Sequence, residues 1–160
     1  IYAIGDVAGP PWLAHKASAQ GHMVADLICG ESIHEVDYFN VPNCTYCQPQ
    51  VASLGLTESK AKDLGHNIKV GKFFFRASGK AMAVGNTFGF VKLIFDDRYG
   101  ELIGAHIIGD GATEMIAELN VAKALESTWE DLAMTMHAHP TLSEAVMEAA
   151  MDAFGSAIHQ

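Results

Sequence analysis

Long apolar runs are missing from this sequence. Nothing in it approaches the roughly 20-residue apolar span that a bilayer-crossing helix needs, so no membrane association is expected. Basic charge is scarce as well: ten Lys and Arg stand against 19 Asp and Glu, a formal charge of −9. Such a surface repels phosphate backbones and anionic lipid, and no Lys/Arg cluster stands out locally, so nucleic-acid binding is disfavoured. No basic segment opens the chain, and the sequence is read as lacking a secretory signal. Cysteine is sparse, with Cys29, Cys44 and Cys47 the only three. An odd count in a chain with a sizeable core fits a reducing compartment, the cytoplasm or a mitochondrial matrix. Cys44 and Cys47 have CxxC spacing but no second pair to complete a four-ligand zinc site, and no metal is expected. On a strand they would lie about 10 Å apart on opposite faces, beyond the roughly 7 Å reach of a disulfide. Only a turn would permit that bond, and the pair is read as two free thiols on a β segment.

What is present suits a folded domain. Hydrophobic residues make up 49% of the 160 and charged residues 18%, the balance of a globular chain. A chain of this size buries roughly 70% of its unfolded surface and folds without disulfide staples. Its length allows one domain, or one domain plus a fragment of another.

The run Ile1-Tyr2-Ala3-Ile4 reads as a buried strand ending at Gly5-Asp6, followed by a loop through Gly9, Pro10 and Pro11. A helix is predicted from about Leu13 to Cys29, closed by Gly30. Residues 31–43 lack a clear period and read as a linker. The domains are therefore drawn as 1–40, a strand-plus-helix remnant, and 41–160. In the second, Thr45 to Leu54 reads as a strand and Thr57 to Gly65 as a short helix with Thr57 as N-cap. Asn67 to Arg76 is strand-like, and Lys80 to Val84 a turn or short helix. Phe90 to Phe95 and Leu102 to Ile108 are strong β segments joined tightly enough to be antiparallel. Helices are expected over about Ala112 to Glu126, Trp129 to Met136 and Thr141 to Ile158, with Ser127 and Glu130 at capping-box spacing. Strands first and helices afterwards indicate an α+β fold, an antiparallel sheet flanked by helices.

The last predicted helix is apolar on two faces. Leu142, Ala145, Val146, Ala149 and Ala153 form one stripe; Met147, Met151, Phe154 and Ile158 form another. A narrow band through Glu144, Glu148 and Asp152 is polar. A helix with more than 180° of apolar surface is sandwiched within its domain or covered by a second chain, and the second chain is favoured here.

Chemistry concentrates at the entrance to that helix, in His137-Ala138-His139-Pro140-Thr141-Leu142-Ser143-Glu144. Pro140 suits a first helical position, where a missing N–H needs no partner. Glu144, just over one turn in, can reach back to one ring nitrogen of His139, fixing its tautomer and stabilising its imidazolium. An oriented histidine of this kind can act as general acid, general base or counter-charge to a thiolate. His137 has no obvious orienting partner. A weaker candidate is Gly5-Asp6, where a carboxylate beside a flexible backbone could accept hydrogen bonds from sugar-like hydroxyls.

Three stretches, in order, resemble one family over the whole chain. Ile1 to Val7 with Leu13-Ala14-His15-Lys16-Ala17 resembles the second flavin-binding motif of the pyridine nucleotide–disulfide oxidoreductases. Pro42 through Ala52-Ser53-Leu54-Gly55-Leu56-Thr57-Glu58 resembles the start of their dimerisation domain. HAHPTLSEA at 137–145 resembles the catalytic signature of the dihydrolipoamide dehydrogenase branch. The resemblance implies that Gly5 and Asp6 meet the ribityl chain of FAD, and that Leu13, Ala14 and His15 lie beside its isoalloxazine. His139 would be the acid–base residue, oriented by Glu144 and reaching across a homodimer to the partner subunit's flavin and redox disulfide. The reaction implied is oxidation of dihydrolipoamide on lipoyl domains of 2-oxo acid dehydrogenase or glycine-cleavage complexes, with electrons passing through FAD to NAD⁺. The family's GxGxxG motifs and CxxxxC redox pair do not occur here, and Cys44 and Cys47 have the wrong spacing to replace the latter. The chain matches about the last third of such an enzyme, so it is expected to bind no FAD and to be inactive alone. The competing readings are a free-standing dimerisation or docking module, and the same domain of another disulfide reductase such as glutathione reductase.

Overall fold

The two strongest β segments form the centre of the sheet. In the computed structural model, whose described residues are 1–159, β4 (Gly89–Asp96) and β5 (Leu102–Gly109) pair antiparallel across a short turn. Three more strands complete the sheet: β1 (Asn43–Thr45), β2 (Val51–Gly55) and β3 (Ile68–Phe74). The order is β1-β2-β5-β4-β3, antiparallel throughout. Side chains alternate along β4. Val91, Leu93 and Phe95 enter the main core while Ile94 faces the other side with Ala61 and Ile103. The register slips between Ile94 and Phe95, opposite Gly104 and Leu102. This bulge lets Leu102 and Ala105, an odd number of residues apart, face the same core.

Helices cover the two faces unequally. The short α2 (Glu58–Asp63), capped by Thr57 through the Lys60 N–H, brings Ala61 onto the smaller cluster. On the main face lie α4 (Ala112–Ala124), against β2 and β5, and α6 (Glu144–Ala153), against β3 and β4. Between α4 and α6 in sequence, α5 (Trp129–Met134) packs on α6, with Trp129 stacked on Phe154 at 4.5 Å between ring centroids. A further short helix, α3 (Gly79–Val84), follows β3 after a 3₁₀ turn at Phe75–Ala77 and is capped by Ser78. The α+β architecture with an antiparallel sheet is as the residue pattern predicts.

Several local expectations are overturned. The segment 45–54 is two strands, because the chain turns between Thr45 and Val51, where Pro49 has no N–H to give a ladder. Cys44 thus lies on β1 and Cys47 in the turn, and both are free thiols; burial pushes the Cys44 thiol up from its ordinary value. The capping box before α5 belongs to Thr128 and Asp131, one residue beyond Ser127 and Glu130. Pro140 does not open a helix: α6 starts at Glu144, and residues 137–143 form an irregular loop. The polar band of α6 is not a solvated face. Glu148 is 3% exposed, Asp152 Oδ2 accepts the Lys72 N–H at 2.8 Å, and Glu144 turns back into the loop. Ala145, Val146, Ala149 and Ala150 are buried within the chain's own core.

Residues 1–41 form a separate unit. Its helix α1 (Ala14–Cys29) ends on the left-handed Gly30 as predicted. Ile1–Ile4 is not a strand. The backbone at Ile4 is extended (φ −134°, ψ 166°), but an extended segment becomes a strand only with a ladder partner, and no described residue pairs with it. A 3₁₀ turn at Gly5–Ala8 follows.

Gly71 on β3 is where α6 comes closest to the sheet. A Cβ there would lie 1.9 Å from the Ala149 carbonyl oxygen and 2.6 Å from the Ala153 nitrogen, both backbone atoms that cannot rotate away. Gly71→Ala is predicted to lower stability by about 3 kcal/mol. Urea titration should show a lower midpoint with an unchanged slope.

Candidate functional site

His139 is held by one nitrogen and open at the other. Its Nδ1 lies 2.8 Å from Glu144 Oε1, while the side chain as a whole is 78% exposed. Glu144 is fixed in turn, because its Oε2 accepts the Thr141 N–H at 2.8 Å. Thr141 Oγ1 donates to the Ala138 carbonyl at 2.7 Å, closing the loop around the histidine. With Glu144 ionised, Nδ1 is the donor, so the neutral ring carries its proton there and turns an unprotonated Nε2 outward. That nitrogen can take a proton and return it, and the carboxylate behind the ring stabilises the imidazolium between the two events. For Glu144 itself, burial pushes the carboxyl up. The Thr141 N–H, the His139 ring and the charges of His139 and His137 outweigh burial and hold it below the ordinary carboxylate range.

Two more imidazole–carboxylate pairs lie close by. His137 does have an orienting partner, contrary to expectation: its Nε2 is 2.6 Å from Glu118 Oε1 on α4. Sequence reasoning missed this because the two residues are 19 apart in the chain. Beyond α6, His159 Nδ1 lies 2.6 Å from Glu148 Oε1, and Glu148 Oε2 accepts the N–H groups of Ile158 and His159. Both His139–Glu144 and His159–Glu148 border one pocket of about 290 Å³, whose apolar wall includes Phe73, Met82 and Met147. The helical spacing of Glu144 and Glu148 signalled a shared face, but their histidines come from loops whose course the pattern did not show. Among the described residues no group of three or more His, Cys, Asp or Glu could hold a metal ion. None of the described helices is long and apolar enough to cross a membrane.

The second set of predicted residues lies in the first unit. Gly5 and Asp6 open the 3₁₀ turn, Leu13 precedes α1, and Ala14 and His15 begin it. Gly5 has φ +73°, a left-handed conformation that favours glycine. Two residues not foreseen hold this turn. The Lys16 ammonium, on a side chain 1% exposed, donates to the carbonyls of Gly5 at 2.9 Å and Gly9 at 2.8 Å. Gln20 accepts the Gly5 N–H at 2.8 Å and donates to the Tyr38 hydroxyl at 2.7 Å. Lys16 and Gln20, spaced i and i+4, share one face of α1, yet a lysine at such spacing is ordinarily a solvated charge. Asp6 is exposed on the turn they brace.

A model of the pyridine nucleotide-disulphide oxidoreductase dimerisation domain matches residues 41–150, and the chain belongs to this family. Among curated relatives, the dihydrolipoyl dehydrogenase of Rhizobium etli is 54% identical over 160 residues, covering 99% of this chain and 33% of that protein. The dihydrolipoyl dehydrogenase of Zymomonas mobilis is 52% identical, covering 99% and 34%. Among solved structures, LpdA from Mycobacterium tuberculosis superposes with a TM-score of 0.88 at 28% identity, covering 94% of this chain and 33% of that one. The HOCl-induced flavoprotein disulfide reductase RclA of Escherichia coli gives 0.87 at 26%, covering 94% and 35%. The chain spans about a third of the length of these relatives.

A carboxyl held below its ordinary range binds its proton less tightly in the folded than in the unfolded chain. The contribution of Glu144 to stability is therefore complete above its unfolded value, about 4.3, and is lost as pH falls through the lower folded value. The difference in Tm between the parent chain and Glu144→Gln should be widest near pH 6 and should shrink towards pH 3, each read by thermal unfolding at about these pH values.

Proposed function

We propose that this chain provides the C-terminal, dimer-forming third of a dihydrolipoamide dehydrogenase, in which His139 is the acid–base residue and Glu144 orients it. The observation that carries the reading is the pair itself: a ring fixed at Nδ1, 2.8 Å from a carboxylate that is itself held, with the opposite nitrogen facing outward. No cysteine pair with the spacing of a redox disulfide lies in this chain. The outward Nε2 would then serve a dithiol and disulfide supplied by a second subunit, in a homodimer. As a base, Nε2 would take a proton from a dihydrolipoamide thiol, and the thiolate so formed would attack one sulfur of the partner's disulfide, forming a mixed disulfide as the old S–S bond breaks and its other sulfur leaves as a thiolate. The imidazolium stays beside the new thiolate, stabilised by Glu144. The identities of 54% and 52% to dihydrolipoyl dehydrogenases favour this member over other disulfide reductases.

The first unit fits the edge of a flavin site. Asp6 is an exposed carboxylate on a turn braced by Lys16 and Gln20, suited to accept hydrogen bonds from the ribityl hydroxyls of FAD. Gly5 keeps the adjacent backbone bare, and Leu13, Ala14 and His15 would border the ring system. The flavin, when bound, carries electrons from the dithiol centre to NAD⁺. This chain's contribution is to hold the polyol and to manage a proton at His139. Lipoyl domains of 2-oxo acid dehydrogenase or glycine-cleavage complexes are the proposed source of the dithiol. The three free thiols support a reducing compartment such as the cytoplasm.

In the flavoprotein carrying this chain, His139→Gln should lower kcat for NADH formation from dihydrolipoamide about 10²–10⁴-fold with FAD retained. Glu144→Gln should lower it less. An unaltered kcat for His139→Gln would overturn the assignment. The 160-residue chain alone should show no flavin absorption band and form no NADH.

A further inference from the structure

The loop that bears His139 bears a second imidazole in a different situation. The His137 side chain is only 5% exposed. Both of its nitrogens are engaged: Nε2 lies 2.6 Å from Glu118 Oε1 on α4, and Nδ1 lies 3.0 Å from the carbonyl oxygen of Thr135 at the end of α5. A carbonyl oxygen only accepts, and so does an ionised carboxylate. A neutral imidazole owns one N–H and could satisfy one of them, leaving the other nitrogen's lone pair against an acceptor. The imidazolium satisfies both. His139, two residues on, has one nitrogen on a carboxylate and the other open to solvent. Two histidines of one loop are thus placed differently: one has both nitrogens engaged, the other keeps one nitrogen open.

We propose that His137, held as an imidazolium between Glu118 and the Thr135 carbonyl, is the positioning residue of the acid–base pair. It ties the loop to α4 and α5 and fixes the direction in which His139 projects. The proposal rests on the reading of His139 as the acid–base residue and deepens it. The loop needs such a tie, because residues 137–143 lie outside any helix or strand. At the far end, Glu144 secures the loop to the start of α6 through Thr141 and His139. At the near end the tie is His137. The charged groups bearing on it are Glu118 from α4 and, from α6, Glu144, which feels the charge of His137. The end of α5 presents the Thr135 carbonyl. Loss of one ring proton would break one of the two bonds and release the loop from α4 or from α5.

The test uses the assembled flavoprotein with Glu118→Gln, Glu118→Asp and His137→Gln, and ¹⁵N-histidine NMR of the unsubstituted 160-residue chain. Glu118→Gln removes the charge that favours the imidazolium while keeping an acceptor. It should lower kcat about tenfold to a hundredfold, leave KM for NAD⁺ unchanged, and move the alkaline fall of the pH–rate profile to lower pH. Glu118→Asp should restore part of the rate, which a purely structural contact would not require. In the NMR spectrum at neutral pH, both His137 nitrogens should be protonated. A His137 with one bare nitrogen at neutral pH would overturn the proposal, and so would a Glu118→Gln enzyme with the parent's kcat and pH profile. If His139→Gln also left the rate intact, the acid–base reading itself would fall; if it abolished the rate, only the role of His137 would.

Discussion

Helix α6 lies so close to β3 that Gly71 presents its bare Cα beneath the Ala149 carbonyl and the Ala153 nitrogen. The rest of the main face follows from that approach. Alanines at 145, 149 and 150 let the helix descend, and Val146 fills the space beside them. At the helix C-terminal end Asp152 accepts the backbone N–H of Lys72, which ties the last turn to the edge strand. The position of α6 along the sheet is thereby set from both ends. Its first residue is Glu144, so the place of the carboxylate behind His139 is decided by contacts more than a helical turn away. A shift of the helix by a fraction of an ångström would move the acceptor relative to the ring.

The same helix shows how carboxylates are used in a chain with an excess of them. Glu144 and Glu148 stand one turn apart, and each takes an imidazole together with backbone N–H donors. A buried carboxylate without donors is strongly disfavoured, and here every bond is to a residue that has otherwise no regular secondary structure to hold it. The acidic groups therefore organise loops: Glu144 the 137–143 loop, Glu148 the segment after the helix, and Glu118 the turn out of α5. Charge that composition alone presents as a solubility feature is, at these three positions, structural.

How much of this was legible depends on the range of the interaction. Apolar β-rich runs joined by a tight turn marked β4 and β5, and Thr57 and Gly30 marked helix ends, because those signals lie within a few residues. His139 and Glu144 were legible for the same reason, five residues apart across a loop. Glu118 was invisible as a partner of His137, since nothing in a helix surface glutamate tells which distant loop will fold onto it. The bulge at Ile103 was hidden because the apolar run from Leu102 to Ile108 reads alike with or without a slip in register. Pro140 misled by satisfying a local rule for a helix start; the real start is at Glu144, where Ala145 and Val146 donate to the carbonyls of Leu142 and Ser143.

The first unit inverts the ordinary pattern, and the inversion bears on function. Its most buried side chains are a lysine and a glutamine, while Trp12, Val7 and Ile28 are exposed. Lys16 and Gln20 point inward because the 5–9 turn offers carbonyls and an N–H that the chain cannot satisfy by regular structure. Large apolar side chains left outside in number mark surfaces that meet something. On the proposed function they meet a nucleotide-binding sheet and a flavin, and the braced turn is what those neighbours would find already formed. The two proposed functional elements are thus alike in construction. In each, polar side chains fix an irregular loop from behind, so that on the proposed function one exposed group, the Asp6 carboxylate or the His139 Nε2, would meet its ligand at little further cost in conformational freedom.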